Sequence, residues 1–235
     1  MTHRRAVVIL TACTFIWGAS FTINKMAYVF VSPLLLLGSR STLASALLSP
    51  AVRGMTRSDW KAGVALGLLF AVQLALFASG LDRIPSNRAA FLFSAATPLV
   101  PVVMLIVERR LPRGRDLLGV ALAVAGTWFL TQPGGTEAGL SLGDGLMLGA
   151  AVCGAVYVVW AGHMAPKHEP LRLLAAQMPV MALVGFVLSF AAETPRWEVT
   201  PWSVHLVLFL AVSSIATFGG QLAGQRLGRP TEAAI

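Results

Sequence analysis

The stretch TQPGGTEAGLSLGD, residues 131–144, is the longest polar break in the chain, rich in glycine and free of lysine and arginine. Apolar runs lie on both sides of it. Five precede it, at about residues 6–24, 33–52, 62–81, 89–107 and 116–132, and three follow, at about 146–165, 171–192 and 203–223. Most approach the roughly 20 residues that cross a bilayer core as a helix; the fifth is the shortest. None alternates polar and apolar residues as a barrel strand does, and a helix satisfies its backbone hydrogen bonds within itself, as lipid requires. The expected fold is all-α, a polytopic transmembrane helical bundle of about eight helices.

Composition points the same way. Of 235 residues, 56% are hydrophobic and 12% charged, with a mean hydropathy of +0.74; a water-soluble domain carries about a quarter charged residues. The N-terminal MTHRRAVVILTACTFIWGASF has a basic start and an apolar stretch too long for a usual signal peptide, so it reads as a first, uncleaved span. Cys13 and Cys153 each stand alone in an apolar run, which indicates neither a disulfide framework nor a zinc site.

A net charge of +8 does not here mark a nucleic-acid binder, which gathers its basic residues on one face of a soluble module. With the N-terminus cytoplasmic, one side of the membrane receives Arg4, Arg5, Arg53, Arg57, Lys61, Arg109, Arg110, Arg113, Arg115, Lys167, Arg172, Arg226 and Arg229. The other receives only Lys25, Arg83, Arg88 and Arg196. This asymmetry fixes the orientation and makes a cell inner or plasma membrane the expected location.

The break at 131–144 also divides the chain into similar parts. Gly18 aligns with Gly154, Phe21 with Tyr157, Pro33 with Pro170, Arg40 with Gln177, Pro85 with Pro230, and Ala89-Ala90 with Ala233-Ala234. A unit of five spans is odd, so a second copy enters the membrane with opposite polarity, the inverted-repeat architecture of secondary transporters. The domains expected are 1–135, a five-helix repeat, and 143–235, an incomplete one of three helices whose closing GRPTEAAI is the stub of a fourth.

At this point the sequence resembles the drug/metabolite transporter superfamily, EamA type. The resemblance lies in the Trp-Gly and downstream Lys of FIWGASFTINKMA (15–27), the Pro and Arg of SPLLLLGSR (32–40), the small-residue junction FASGLDRIPSNRAAFLFSAATPLVPVVM (77–104), and ERRLPRGRDLLGVALAVAGTWFL (108–130). It implies ten helices in two inverted units, a central cavity, and export or exchange of small metabolites such as amino acids or drugs by alternating access. Two of those helices are absent from this sequence, so a non-transporting truncated form stays open beside the carrier.

Candidate site residues follow from polar or irregular groups in apolar runs. Arg40 lies about seven residues, or roughly 10 Å, inside the second run; it either faces a cavity and attracts an anionic group, or snorkels to the outer surface or bonds backbone carbonyls at a helix break. Asn24 closes the first run beside Lys25; the lysine reaches the outer interface, while the amide is expected to point inward. Trp17 with Gly18, and their counterparts Tyr157 and Trp160, serve either a pocket wall or packing, glycine allowing a close helix approach or a local irregularity; Tyr157 and Trp160 also suit a membrane interface, where aromatic residues gather. Gln73, Gln177 and Gln221 suit a polar solute or an interhelical bond equally. Pro98 and Pro101 predict a kink from Thr97 to Pro101, with Thr97 a further substrate candidate. Glu108 is read as a loop ion pair or a gate.

His3, His163, His168 and His205 are scattered, so a membrane-embedded enzyme is a remote alternative, with no catalytic set, metal or cofactor expected. No carboxylate falls near the middle of an expected span, which favours exchange or facilitated movement over proton coupling. The expected partners are the lipid bilayer and a small-molecule substrate, with no nucleic acid; a homodimer is left open.

Overall fold

Capping chemistry sets where the helices begin. In the computed structural model, which describes residues 3–109 and 140–226 with 114, 118, 121, 122 and 125 between them, α3 (Arg57–Arg83) starts at a capping box of Thr56 and Asp59. Helix α6 (Leu142–Met164) starts at another, of Ser141 and Asp144. A proline in the first turn opens α2 (Pro33–Leu47), α7 (Pro170–Ala192) and α8 (Pro201–Gln225), where the missing N–H costs nothing. The remaining described helices are α1 (His3–Tyr28), α4 (Ser86–Ser94) and α5 (Ala96–Glu108). Among the described residues there is no strand, only an isolated bridge between Val31 and Trp197.

Among the described residues, five helical segments are long and apolar enough to cross a membrane: Arg57–Arg83, Ser86–Val107, Leu142–Lys167, Pro170–Ala192 and Pro201–Gln225. The protein is a multi-pass membrane protein. The expected fifth run, 116–132, and the aligned residues at 230–234 lie outside the continuously described segments, as do the 131–139 part of the Gly-rich break and the closing stub.

Two expectations need correction. The second run ends earlier than 52: α2 stops at Leu47, and Ser49–Val52, containing Pro50, forms a 3-10 turn. The fourth run is broken one turn ahead of the expected kink, at Ala95, between α4 and α5. Pro98 explains the position, because it has no N–H for the Ser94 carbonyl and its ring crowds that oxygen. Pro101 stays inside α5.

Helix packing rests on small residues. A Cβ built on Gly185 of α7 would sit 2.6 Å from the Gly38 nitrogen of α2, so the two backbones touch. On α3, a Cβ on Gly67 would meet Gln177 Cα at 3.0 Å, and one on Gly63 would overlap Ala176. Helices α2, α3 and α7 therefore form a seam of close backbone contact, as small residues permit in lipid. Helix α3 also packs along α6, and α1 along α8.

The connections gather at two ends. At one, Ser32 N donates to the Arg196 carbonyl and Glu198 N to that of Phe30. There Glu193, ending α7, accepts the Leu34 and Leu35 backbone N–H groups at the start of α2, and Arg88 pairs with buried Asp144 at 2.7 Å. Lys25 donates to the Asp82 carbonyl at 2.7 Å at the same end. At the opposite end His168 Nδ1 lies 2.6 Å from Asp59 Oδ1, and Arg172 reaches the Gly54 carbonyl.

Candidate functional site

A cavity of about 320 Å³ opens between α1, α3, the broken pair α4–α5, α6 and α8. Along α1 it is bordered from Cys13 to Asn24, roughly 16 Å at 1.5 Å per residue. Its walls are largely aromatic. Phe21, Phe77 and Phe93 meet edge to face, with centroids 5.0 Å apart for the first two. Phe70 stacks on Tyr157 at 4.3 Å and meets Phe218 edge-on at 4.6 Å, while Trp17 tilts over Phe218 at 6.2 Å.

Arg40 lies at the polar end of this cavity. It is 7% exposed, and its Nη1 donates to Asn24 Oδ1 at 3.2 Å. Asn24 in turn donates through Nδ2 to the Ser20 carbonyl at 2.7 Å, so helix α1 holds the amide with its oxygen toward the guanidinium. Among the described residues no carboxylate lies within ion-pair distance of Arg40, and none lines the cavity. A guanidinium so placed carries charge that one neutral amide oxygen does not balance, at a cost of several kcal/mol in a low-dielectric surround.

The cavity also gathers Trp17, Gln73, Thr97, Tyr157 and Gln221 from the sequence-based candidates. Gln73 is 6% exposed, and its Oε1 is buried with no hydrogen-bond partner among the described residues. Three expectations shift. Trp160 does not line the cavity; it is 45% exposed on the outer face of α6, where an amphipathic ring suits the lipid boundary. Gln177 is fully buried behind the wall, its Oε1 accepting the Tyr157 hydroxyl at 3.0 Å, the interhelical role of a membrane glutamine. Gly18 supports no close helix approach: a Cβ there would meet nothing within 4 Å, so this glycine widens the cavity. Pro98 and Pro101 shape the broken helix without lining the cavity. The Glu108 side chain lies outside the described residues.

The phenylalanines at 21, 70, 77, 93 and 218 were missed, because an aromatic ring facing a cavity and one facing lipid look alike in an apolar run. The signal available was their spacing: Phe70, Gln73 and Phe77 fall on one helical face. The Arg88–Asp144 and His168–Asp59 pairs were missed because each joins residues far apart in the chain.

The sequence profile of the EamA-like transporter family matches residues 4–132 and 141–235. The chain belongs to this family. An uncharacterized transporter from Archaeoglobus fulgidus is 27% identical over 212 residues, covering 89% of this chain and 65% of the relative. An S-adenosylmethionine/S-adenosylhomocysteine transporter of Chlamydia trachomatis is 26% identical over 228 residues, covering 91% and 69%. The Threonine/homoserine exporter RhtA of Salmonella typhimurium is 30% identical over 118 residues, covering 50% and 38%. This EamA-family chain thus spans from about two thirds down to about two fifths of these relatives' length. A solved crystal structure 18% identical superposes with a TM-score of 0.72 over 99% of this chain and 83% of that one, which shows a shared fold.

Proposed function

We propose that this chain is a carrier of small organic anions, working by alternating access between two inverted halves, with Arg40 and Asn24 holding the solute's carboxylate. The carrying observation is Arg40: a buried, cavity-lining guanidinium whose hydrogen-bond partner is the amide oxygen of Asn24. A bound carboxylate supplies the missing charge and the bidentate acceptor that a guanidinium fits. The solutes in the relatives' names, S-adenosylmethionine, S-adenosylhomocysteine, threonine and homoserine, all carry a carboxylate. With no acid lining the cavity among the described residues, exchange or facilitated movement fits better than proton coupling.

The inverted halves are supported by packing that is preserved when α1, α2 and α3 are swapped for α6, α7 and α8. Helix α3 packs on α6 as α1 packs on α8, α3 on α7 as α2 on α8, and α2 meets α7 across the pseudo-axis. The aligned pairs Gly18/Gly154 and Phe21/Tyr157 all border the cavity. In this arrangement the two halves rock about the central site and expose it to each side in turn. Reporter tags after Arg110 and after Gly135 are expected in opposite compartments, Arg110 in the cytoplasm of an inner-membrane host; tags in one compartment overturn the inversion.

The direct test is counterflow in proteoliposomes holding the 235-residue chain. Preloaded unlabelled organic anions are expected to drive uptake of labelled anion by the native chain and not by Arg40→Gln. Equal counterflow by both forms, or none by a correctly inserted native chain, counts against the carrier.

A further inference from the structure

Resting on the reading of Arg40 as the anion anchor, we infer that Gln73 forms a second polar subsite, and that the two stations select an elongated solute. That solute carries a carboxylate at one end, an aromatic or planar apolar body, and an uncharged hydrogen-bond donor at the other end.

The argument begins with depth along the helices. Phe21 of α1 and Phe77 of α3 are in ring contact and share a level. Asn24, which holds Arg40, lies three residues beyond Phe21 toward the end that carries Lys25 and Asp82. Gln73 lies four residues from Phe77 in the opposite direction, where it meets Gly154 and sits one turn from Phe70. At 1.5 Å per residue the two stations are separated by roughly 10 Å along the bundle. Between them the walls carry the rings of Phe21, Phe77 and Phe93, which offer no hydrogen bond, with Ser20 and Ser94 beside them donating their hydroxyls to the Trp17 and Phe91 carbonyls.

Gln73 is built to receive something. It borders the cavity, it is more than nine-tenths buried, and its Oε1 has no donor among the described residues. A buried acceptor without a donor is costly, and a ligand that brings one gains the whole of that interaction. Gly154 contributes the space: a Cβ at that position would lie 3.2 Å from Gln73 Nε2.

The separation decides the solute class. In a simple α-amino acid the carboxylate and ammonium share one carbon, so those two groups alone span far less than 10 Å and cannot occupy both stations. A distal group must do so. The absence of a lining carboxylate among the described residues leaves a cationic donor without a counter-charge, so a neutral hydroxyl, amide or aromatic amine fits best.

The test is equilibrium binding to the full chain in nanodiscs with three probes: 3-(4-hydroxyphenyl)propanoate, its 4-methoxy ether and 3-phenylpropanoate. The hydroxyl probe is expected to bind the native chain at least about 10-fold more tightly than the other two, the scale of one net neutral hydrogen bond. Gln73→Leu is expected to erase that preference while leaving 3-phenylpropanoate affinity within about threefold. Arg40→Gln is expected to weaken all three alike. The methyl ether tests the donor on unmutated protein, so misfolding of Gln73→Leu does not remove the answer. Equal affinity of the hydroxyl and ether probes for the native chain overturns the Gln73 subsite and leaves the carrier standing. Failure of all three to bind overturns the subsite too, and insensitivity of all three to Arg40→Gln overturns the anion anchor beneath it.

Discussion

Gly185 and Gly18 are both glycines inside apolar helices, and they do opposite things. Gly185 lets α7 lie against the backbone of α2, where a Cβ would come 2.6 Å from the Gly38 nitrogen and 2.8 Å from its Cα. Gly18 faces open space beside the cavity. The contrast extends to the helices around them. Of the most apolar stretch of α3, on the seam, 56% is buried in the protein; of the α4–α5 stretch, on the cavity side, 11% is. One region is held by backbone contact, and the other leaves most of its surface outside the protein interior.

The most severe break in this contrast is Gly185→Val. Neither side of that contact is a flexible side-chain tip, so α2 and α7 must separate, and overpacking of this kind costs about 1–3 kcal/mol or more. The expected outcome is loss of monodisperse protein, or a thermal midpoint several degrees lower in detergent. An unchanged midpoint would show that the seam is looser than its geometry.

Next in size is Arg40→Met, which separates function from stability. Removing a buried cation that lacks a counter-anion relieves a desolvation cost, so the fold is expected to be as stable as before or more so. Binding of organic anions is expected to fall at least about 100-fold, the scale on which charge-assisted hydrogen bonds act. A stability loss matching the binding loss would instead assign Arg40 a structural role.

Tyr157→Phe acts where cavity wall and seam meet. The hydroxyl donates to Gln177 Oε1 at 3.0 Å, and Gln177 Nε2 already lacks a partner among the described residues. Leaving the whole amide unpaired is expected to cost about 1–2 kcal/mol. The Phe70 stacking, and with it most of the cavity shape, is retained. Thermal unfolding checks the cost, and binding changed by less than about threefold would place the hydroxyl outside the site, since each 1.4 kcal/mol is tenfold in affinity.

How much of this was legible in the sequence depends on what each residue had to reveal. Helix and membrane were readable because lipid imposes one requirement on every residue of a span; of the eight expected runs, five helical segments among the described residues are long and apolar enough to cross a membrane. Arg40 and Asn24 stood out because a polar group in an apolar run needs a reason. The phenylalanines did not, since their apolar surroundings are the same whether they face lipid or cavity. Trp160 was grouped with Tyr157 as a repeat counterpart of Trp17 and Gly18, but i+3 neighbours differ by about 60° around the helix, enough to move a ring from the cavity to the outer surface. The break at Ala95 was placed a turn late because a proline disrupts the carbonyl four residues before it.

Gly18→Ala is the smallest perturbation and the one that reads the open side directly. In the interior of α1, alanine is favoured over glycine by about 0.5–1 kcal/mol, and the added methyl meets no atom within 4 Å. Stability should therefore hold or rise slightly. The methyl projects into the space beside Trp17 and Phe21, so solutes with a broad aromatic body should lose about two- to tenfold in affinity while slim aliphatic carboxylates lose nothing. The same substitution at Gly185 is expected to lower the melting temperature with every solute affected alike. If Gly18→Ala destabilises as Gly185→Ala does, a helix packs against α1 on that side in the membrane, and the cavity wall is as locked as the seam.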